Sequence, residues 1–150
     1  MSYQEKNITV SFVSQLLILG YYLFNLLQMQ QEGGLVADRV FRLWAVVLVG
    51  AILVNILGSI LTNITLSIVH AIRTGAKEDE RFIEDERDKL ISLKGTRVSY
   101  IAFSIGVFLA MLTFAFGQPP LLMFSLLIFS GLSAEIIGDL AQIYLYRRGF

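Results

Sequence analysis

Four apolar runs, each long enough to cross a bilayer, take up most of this 150-residue chain. They predict membrane spans at about 8–27, 42–72, 98–116 and 120–146 within a single domain, 1–150. Only 16% of the residues are charged, against about 25% in a typical soluble domain. Seven of the twelve Lys/Arg and seven of the twelve Asp/Glu lie between residues 73 and 97. The sequence therefore predicts an all-α, polytopic membrane protein, a four-transmembrane-helix bundle whose surroundings are the lipid bilayer.

The charged segment 73–97 separates the second and third spans. Its core repeats Glu-Asp-Glu-Arg at a six-residue offset, and apolar residues interrupt the charges. Opposite charges four residues apart, such as Arg81 and Asp85, stabilise a helix. We therefore predict a short cytoplasmic amphipathic helix here. The repeat is either a solvated helix face or a docking surface for a cytoplasmic protein, formed by Glu84, Asp85, Glu86, Arg87 and Asp88.

Basic residues indicate the orientation of the chain. With four spans, both termini and the charged segment share one side, which holds ten of the twelve Lys/Arg. The other side holds only Arg39 and Arg42. Because Lys and Arg are enriched in cytoplasmic loops, we predict that both termini are cytoplasmic. The first apolar run has no basic leader and no small-residue cleavage site, so we expect a retained helix.

Two carboxylic acids lie inside the fourth apolar run. Glu135 and Asp139 are four residues apart, so a helix places them on one face, one turn apart. Twelve residues separate Glu135 from Arg147, which is about 18 Å along a helix. Glu135 is therefore expected near the midplane, and Asp139 nearer the cytoplasm. Ionisable groups at this depth are costly and face the bundle interior or a water-filled cavity, so we expect the pair to titrate as coupled groups.

The second span supplies the expected partners of this pair. Its polar residues share one face: Asn55, Ser59, Thr62, Asn63, Ser67 and His70. Asn63 lies about 15 Å along the helix from Arg73, a depth that matches Glu135. We predict a proton- or cation-binding site formed by Glu135, Asp139, Asn63 and His70. The alternative is a polar clamp that only holds helices together.

Small residues predict which helices pack most closely. They recur every four positions on two spans: Ala102, Gly106 and Ala110 on the third, and Ser130, Ala134 and Gly138 on the fourth. Small side chains at this spacing let helices approach closely in lipid. The connection Gly117-Gln118-Pro119-Pro120 is short. We therefore predict that the third and fourth spans form the tightest antiparallel hairpin.

Segments of the second half resemble a known family. These are residues 84–100, with the run Glu-Asp-Glu-Arg-Asp-Lys, then residues 134–139 and the ending 144–149. Together they resemble a family of small prokaryotic four-span membrane proteins classed as a domain of unknown function. The resemblance implies a multi-pass protein of the prokaryotic inner membrane, and it implies no activity.

Several classes of function have no support in the sequence. There is no phosphate-binding loop, nucleophile elbow or metalloprotease pattern, so we predict no enzyme and no cofactor. One histidine and no cysteine do not make a metal site, and zero net charge does not favour nucleic acid. The leading hypothesis is a homo-oligomeric transporter or channel in which Glu135 and Asp139 bind a proton or cation. The alternative is a membrane-anchored regulatory protein that docks a soluble partner through residues 73–97.

Overall fold

A computed structural model describes residues 3–74 and 86–148. They form four helices: α1 (Tyr3–Gln31), α2 (Ala37–Thr74), α3 (Glu86–Ala115) and α4 (Pro120–Arg147). No strand occurs in these two ranges, so the all-α prediction is confirmed for them. The helices α1, α3 and α4 are long and apolar enough to cross a membrane. At 38 residues α2 is the longest helix, about 57 Å against a hydrocarbon core of roughly 30 Å.

The start of α3 corrects one prediction. The helix begins at Glu86, well before the predicted third span, so residues 86–97 are its first turns and not a separate helix. Glu86 and Asp88 lie in the first turn, where negative charge is stabilised by the positive end of the helix dipole. Gly95 lies within this helix, and the side chain of Gln142 packs against it. The rest of the predicted cytoplasmic helix, 75–85, lies outside the described residues.

The connection between α3 and α4 is closed by backbone hydrogen bonds. The N–H of Gly117 donates to the carbonyl of Phe114 (3.0 Å), and that of Gln118 donates to the carbonyl of Thr113 (3.1 Å). This pair of bonds is the Schellman motif, which places its glycine in the left-handed region, and Gly117 has φ of 81°. Pro120 then begins α4, where a missing N–H is tolerated. The short turn makes α3 and α4 antiparallel neighbours.

Small residues bring α3 and α4 together along their length. A Cβ added to Gly106 would lie 2.5 Å from the Cβ and Oγ of Ser130. A Cβ on Gly138 would collide with Ser99 Oγ and lie 3.2 Å from the carbonyl oxygen of Gly95. Among the described helices this pair has the most extensive contact. The predicted hairpin is confirmed.

The helix α1 packs on the other side of α4, and α2 packs on α1. Tyr22, Leu43, Val47 and Leu132 form the buried cluster at this junction. The Tyr22 hydroxyl donates a 2.8 Å hydrogen bond to the carbonyl oxygen of Ser125. This bond fixes the position of α1 along α4.

Aromatic rings fix α2 beside the beginning of α4. The ring of Phe124 lies 4.8 Å from that of Phe41 and 6.2 Å from that of Trp44, measured between centroids. At the start of α2, Arg39 donates a 2.6 Å hydrogen bond to Glu32 in the connection between α1 and α2. This bond and a second from Gln28 hold the pKa of Glu32 below its usual value.

Polar contacts at the opposite end of the bundle join three helices. The side chain of Ser11 on α1 is hydrogen-bonded to Asp139 on α4. The Tyr146 hydroxyl on α4 donates a 2.7 Å hydrogen bond to Asp88 on α3. The beginnings of α1 and α3 therefore lie at the same end as the last turns of α4.

Large apolar side chains cover the outside of the bundle. On α1 and α3 they include Leu17, Phe24, Phe108 and Leu109, which are all more than half exposed. A soluble monomer rarely exposes an apolar surface of this extent, whereas in a membrane lipid would cover it. The fold therefore supports insertion of these helices in a membrane.

Candidate functional site: an acidic cleft beside α4

A cleft of about 610 Å³ lies against α4, and all four helices contribute to its lining. Besides α4, the lining includes residues of α3, Gln15 of α1 and Ala51 of α2. Within residues 3–74 and 86–148, α2 and α3 make at most marginal contact with each other. Tyr100 and Phe103, which line the cleft, are exposed, so the cleft reaches the surface of the bundle on the α3 side.

Both predicted acids line this cleft. Glu135 is exposed and Asp139 is half-buried. Ser11 is hydrogen-bonded to the Asp139 carboxyl group, yet the buried Oδ2 atom of Asp139 has no hydrogen-bond partner among the described residues. The four-residue spacing therefore brings the two carboxyl groups to one cavity, and one oxygen there keeps unused hydrogen-bonding capacity.

A second unpartnered oxygen lines the same cleft. Gln15 is only 6% exposed, and its Oε1 atom has no hydrogen-bond partner within the described part of the chain. Leaving a buried acceptor unsatisfied costs about 1–3 kcal/mol. Native structures rarely tolerate this without a bound water or ion. The cleft therefore holds two buried oxygen acceptors that have no hydrogen-bond partner among the described residues.

The wall formed by α3 is polar near the acids and aromatic beyond them. Thr96 and Ser99 contribute hydroxyl groups, and Tyr100 and Phe103 contribute rings. A Cβ added to Gly131 would lie 3.8 Å from Cε2 of Phe103. The ring of Phe103 therefore lies over α4 one turn before Glu135.

No basic side chain lines the cleft in the described part of the chain. The salt bridges of the described residues, Arg39 with Glu32 and Arg42 with Asp38, lie away from the cleft, near the connection between α1 and α2. Arg97 is exposed and makes no salt bridge with either acid. Neither described salt bridge involves Glu135 or Asp139.

No family model, curated protein or solved structure matches this chain. The chemistry of the site is therefore inferred from its own residues. Three or more His, Cys, Asp or Glu side chains do not come together as a metal-binding group anywhere in the described ranges. Oxygen acceptors around two carboxyl groups instead suit protons, hard cations or an organic cation.

Asn63 and His70 lie on α2, but their side chains are outside those that the structure describes. Their roles in the site therefore stay predictions. Asn63 was expected level with Glu135, but the contacts between α2 and α4 place other residues of α2 at that level. On α4, Glu135 lies eleven residues after Phe124. On α2, the residues eleven positions after Phe41 and Trp44, which contact Phe124, are Ile52 and Asn55.

The cause of this difference is the choice of reference residue. The depth predicted for Asn63 is a distance from Arg73, which treats Arg73 as lying at the membrane surface. However, α2 continues to Thr74 and is far longer than the hydrocarbon core. By the Phe124 contacts, Asn63 therefore lies further along α2 than the level of Glu135.

The predicted docking residues are only partly described. Glu84 and Asp85 lie outside the described residues, whereas Glu86 and Arg87 are exposed on the first turn of α3. Asp88 is half-buried and accepts the hydrogen bond from Tyr146. Asp88 thus has a role within the bundle, and a docking role for this cluster stays a prediction.

The polar contribution of α1 to the acid pair was missed from sequence. Ser11, Gln15 and Tyr22 recur at helical spacing, so the sequence did contain a polar stripe on α1. Its depth could have been matched to the fourth span only by knowing that Tyr22 pairs with Ser125. The hydroxyl groups of Thr96 and Ser99 carried no comparable signal.

Proposed function

We propose that this protein is a small multi-pass transporter or channel of the prokaryotic inner membrane that binds a proton or cation at Glu135 and Asp139. The observation that carries the proposal is the pair of unpartnered buried oxygens, Gln15 Oε1 and Asp139 Oδ2, in one cleft with two carboxyl groups. A polar clamp would be expected to satisfy its own hydrogen bonds. A cavity with two unpartnered acceptors and without a basic residue instead suits a positively charged ligand.

A proton and a cation can compete at such a site. Either one neutralises the same carboxylates, so binding of one favours release of the other. Glu135, which is exposed to the cleft, is the acid that exchanges its proton during the working cycle. Asp139 is held by Ser11 and orients the site. This exchange is the elementary step of a coupled transporter.

The proposed membrane arrangement has four spans, in which α2 crosses the membrane in addition to α1, α3 and α4, and both termini lie in the cytoplasm. It is supported by the ten basic residues that would share the cytoplasmic side. One copy has a cleft open at its side, so a second copy would complete an enclosed path. We therefore include a homo-oligomer in the proposal.

A carbodiimide experiment tests the acid pair without knowledge of the substrate. Dicyclohexylcarbodiimide reacts with protonated carboxyl groups in apolar surroundings, and mass spectrometry of the purified protein in detergent locates the product. We expect modification of Glu135 or Asp139, faster at acidic pH. It should be lost in the double variant Glu135→Gln/Asp139→Asn. Glu32, on the exposed connection, is the internal reference and should not react.

A flux assay tests the consequence of proton binding. Wild-type protein in vesicles that contain a proton-sensitive dye should dissipate an imposed proton gradient when sodium, potassium or tetraphenylphosphonium is supplied to exchange for protons. Glu135→Gln should fold normally and lose this activity. Carbodiimide reactivity equal in wild type and the double variant, with unfolding of Glu135→Leu, would show that the acids are structural. Docking of a soluble protein through residues 73–97 would then be the better hypothesis.

A further inference from the structure

We propose that the cleft beside α4 binds an amphipathic organic cation, whose positive centre lies at Glu135 and whose apolar groups lie against Tyr100 and Phe103. The inference rests on the proposed function and names its substrate class. It also makes the cleft the place where substrate and proton compete.

The size of the cleft is the first argument. Its volume of about 610 Å³ lies within the range of roughly 300–1,000 Å³ found for sites that bind drug-sized molecules. A dehydrated inorganic ion needs far less space, since a water molecule takes up about 30 Å³. A cavity built only for an inorganic ion would be expected to close around it.

The distribution of chemistry in the lining is the second argument. Glu135, Asp139 and the unpartnered Gln15 Oε1 supply negative charge and acceptors. The rings of Tyr100 and Phe103 lie on the α3 wall of the same cleft. Aromatic faces attract organic cations, and such contacts are strongest where water is excluded. Carboxylates and rings in one cavity are the combination that recognises a substituted ammonium or phosphonium ion.

Access from the side of the bundle is the third argument. Tyr100 is 69% exposed and Phe103 is 41% exposed. Both rings line the cleft, so the cleft opens at the surface of the bundle beside α3. In a membrane this opening adjoins lipid, so a ligand that enters here must dissolve in the bilayer. A hydrated inorganic ion would not use this route, whereas an apolar molecule with one delocalised positive charge would.

Tetraphenylphosphonium is a suitable probe, and its binding to the purified full-length protein in detergent can be measured by equilibrium dialysis. We expect saturable binding that is weakened at least about tenfold by Glu135→Gln, since a neutral amide no longer pairs with the cation. Phe103→Ala should weaken binding by about 5- to 30-fold, which corresponds to loss of one desolvated cation–π contact.

Two matched controls separate specific binding from partition into detergent. Tetraphenylborate has the same shape with the opposite charge and should show no saturable binding. Phe108→Ala removes an aromatic ring from the same helix at an exposed position that does not line the cleft, and it should leave tetraphenylphosphonium binding unchanged. Circular dichroism checks that each variant is folded.

The outcomes distinguish this inference from the function on which it rests. Equal binding of both ions, or tetraphenylphosphonium binding that survives both Glu135→Gln and Phe103→Ala, would overturn the organic-cation site. If carbodiimide still modifies the acids and sodium or potassium protects them, the acid site stands and its substrate is inorganic. If carbodiimide modifies neither acid of the wild-type protein and tetraphenylphosphonium does not bind to it, both proposals are overturned.

Discussion

Tyr22 determines which polar groups of α1 reach the acid pair. Its hydroxyl bonds to the carbonyl of Ser125, and α1 and α4 are antiparallel. Moving toward the N-terminus of α1 therefore corresponds to moving toward the C-terminus of α4, which brings Gln15 to the cleft and Ser11 to Asp139. The hydrogen bond between Ser11 and Asp139 agrees with this register. One buried hydroxyl thus connects the packing of two helices to the chemistry of the site.

We expect Tyr22→Phe to lower the free energy of unfolding by about 0.5–1.5 kcal/mol, because it removes one buried hydrogen bond and keeps the ring. Thermal unfolding in detergent would measure the change. Tyr21→Phe is the matched control, since Tyr21 is half exposed and its hydroxyl should contribute little. Equal stability of the two variants would mean that the Tyr22 hydroxyl does not fix α1.

Residue spacing was enough to predict that Glu135 and Asp139 would share a face, because both lie on one helix of fixed period. The surroundings of the pair depend on packing between helices. The sequence contains one polar stripe on α1, with Ser11 and Gln15, and another on α2. The helical period does not determine the position of one helix along another. That position is set by contacts such as the ring of Phe124 against Phe41, which no local pattern reveals.

The hairpin of α3 and α4 was predictable because both of its determinants are local. A four-residue turn with a positive-φ glycine makes the helices neighbours, and small residues every four positions mark their facing sides. The separate cytoplasmic helix was a wrong prediction for residues 86–97, because charge was taken as the boundary of a helix. Charged residues interrupt a span but do not interrupt backbone hydrogen bonding, so α3 continues through them.

Gly106→Leu should destabilise the protein by about 1–3 kcal/mol, the usual cost of overpacking. A side chain at this position would collide with Ser130, whose Cβ lies 2.5 Å from the site of the added atom. Gly20→Leu is the control, because an added Cβ on Gly20 of α1 meets no atom within 4 Å. Thermal unfolding in detergent should separate the two variants. If both are as stable as wild type, the small residues of α3 face lipid.

The bundle as a unit places the beginnings of α1 and α3 and the end of α4 together, as the hydrogen bond from Tyr146 to Asp88 indicates. The chain has no native cysteine, so single introduced cysteines report topology without background. We expect a cysteine at Ser2 to be protected from an impermeant reagent in intact cells, and one at Gln118 to react. Reaction at both positions would contradict cytoplasmic termini with four spans.

The glycines and alanines between α3 and α4 also have an entropic consequence. Burying Gly or Ala removes no side-chain rotamer freedom, whereas fixing a glutamine costs up to about 1.5–2 kcal/mol. Contact along Gly106 and Gly138 therefore keeps nearly all of its van der Waals gain, while α1 must order Gln15 and Tyr22 to dock. We expect α3 and α4 to stay associated as α1 and α2 move, so opening of the cleft is least costly on the side of α2.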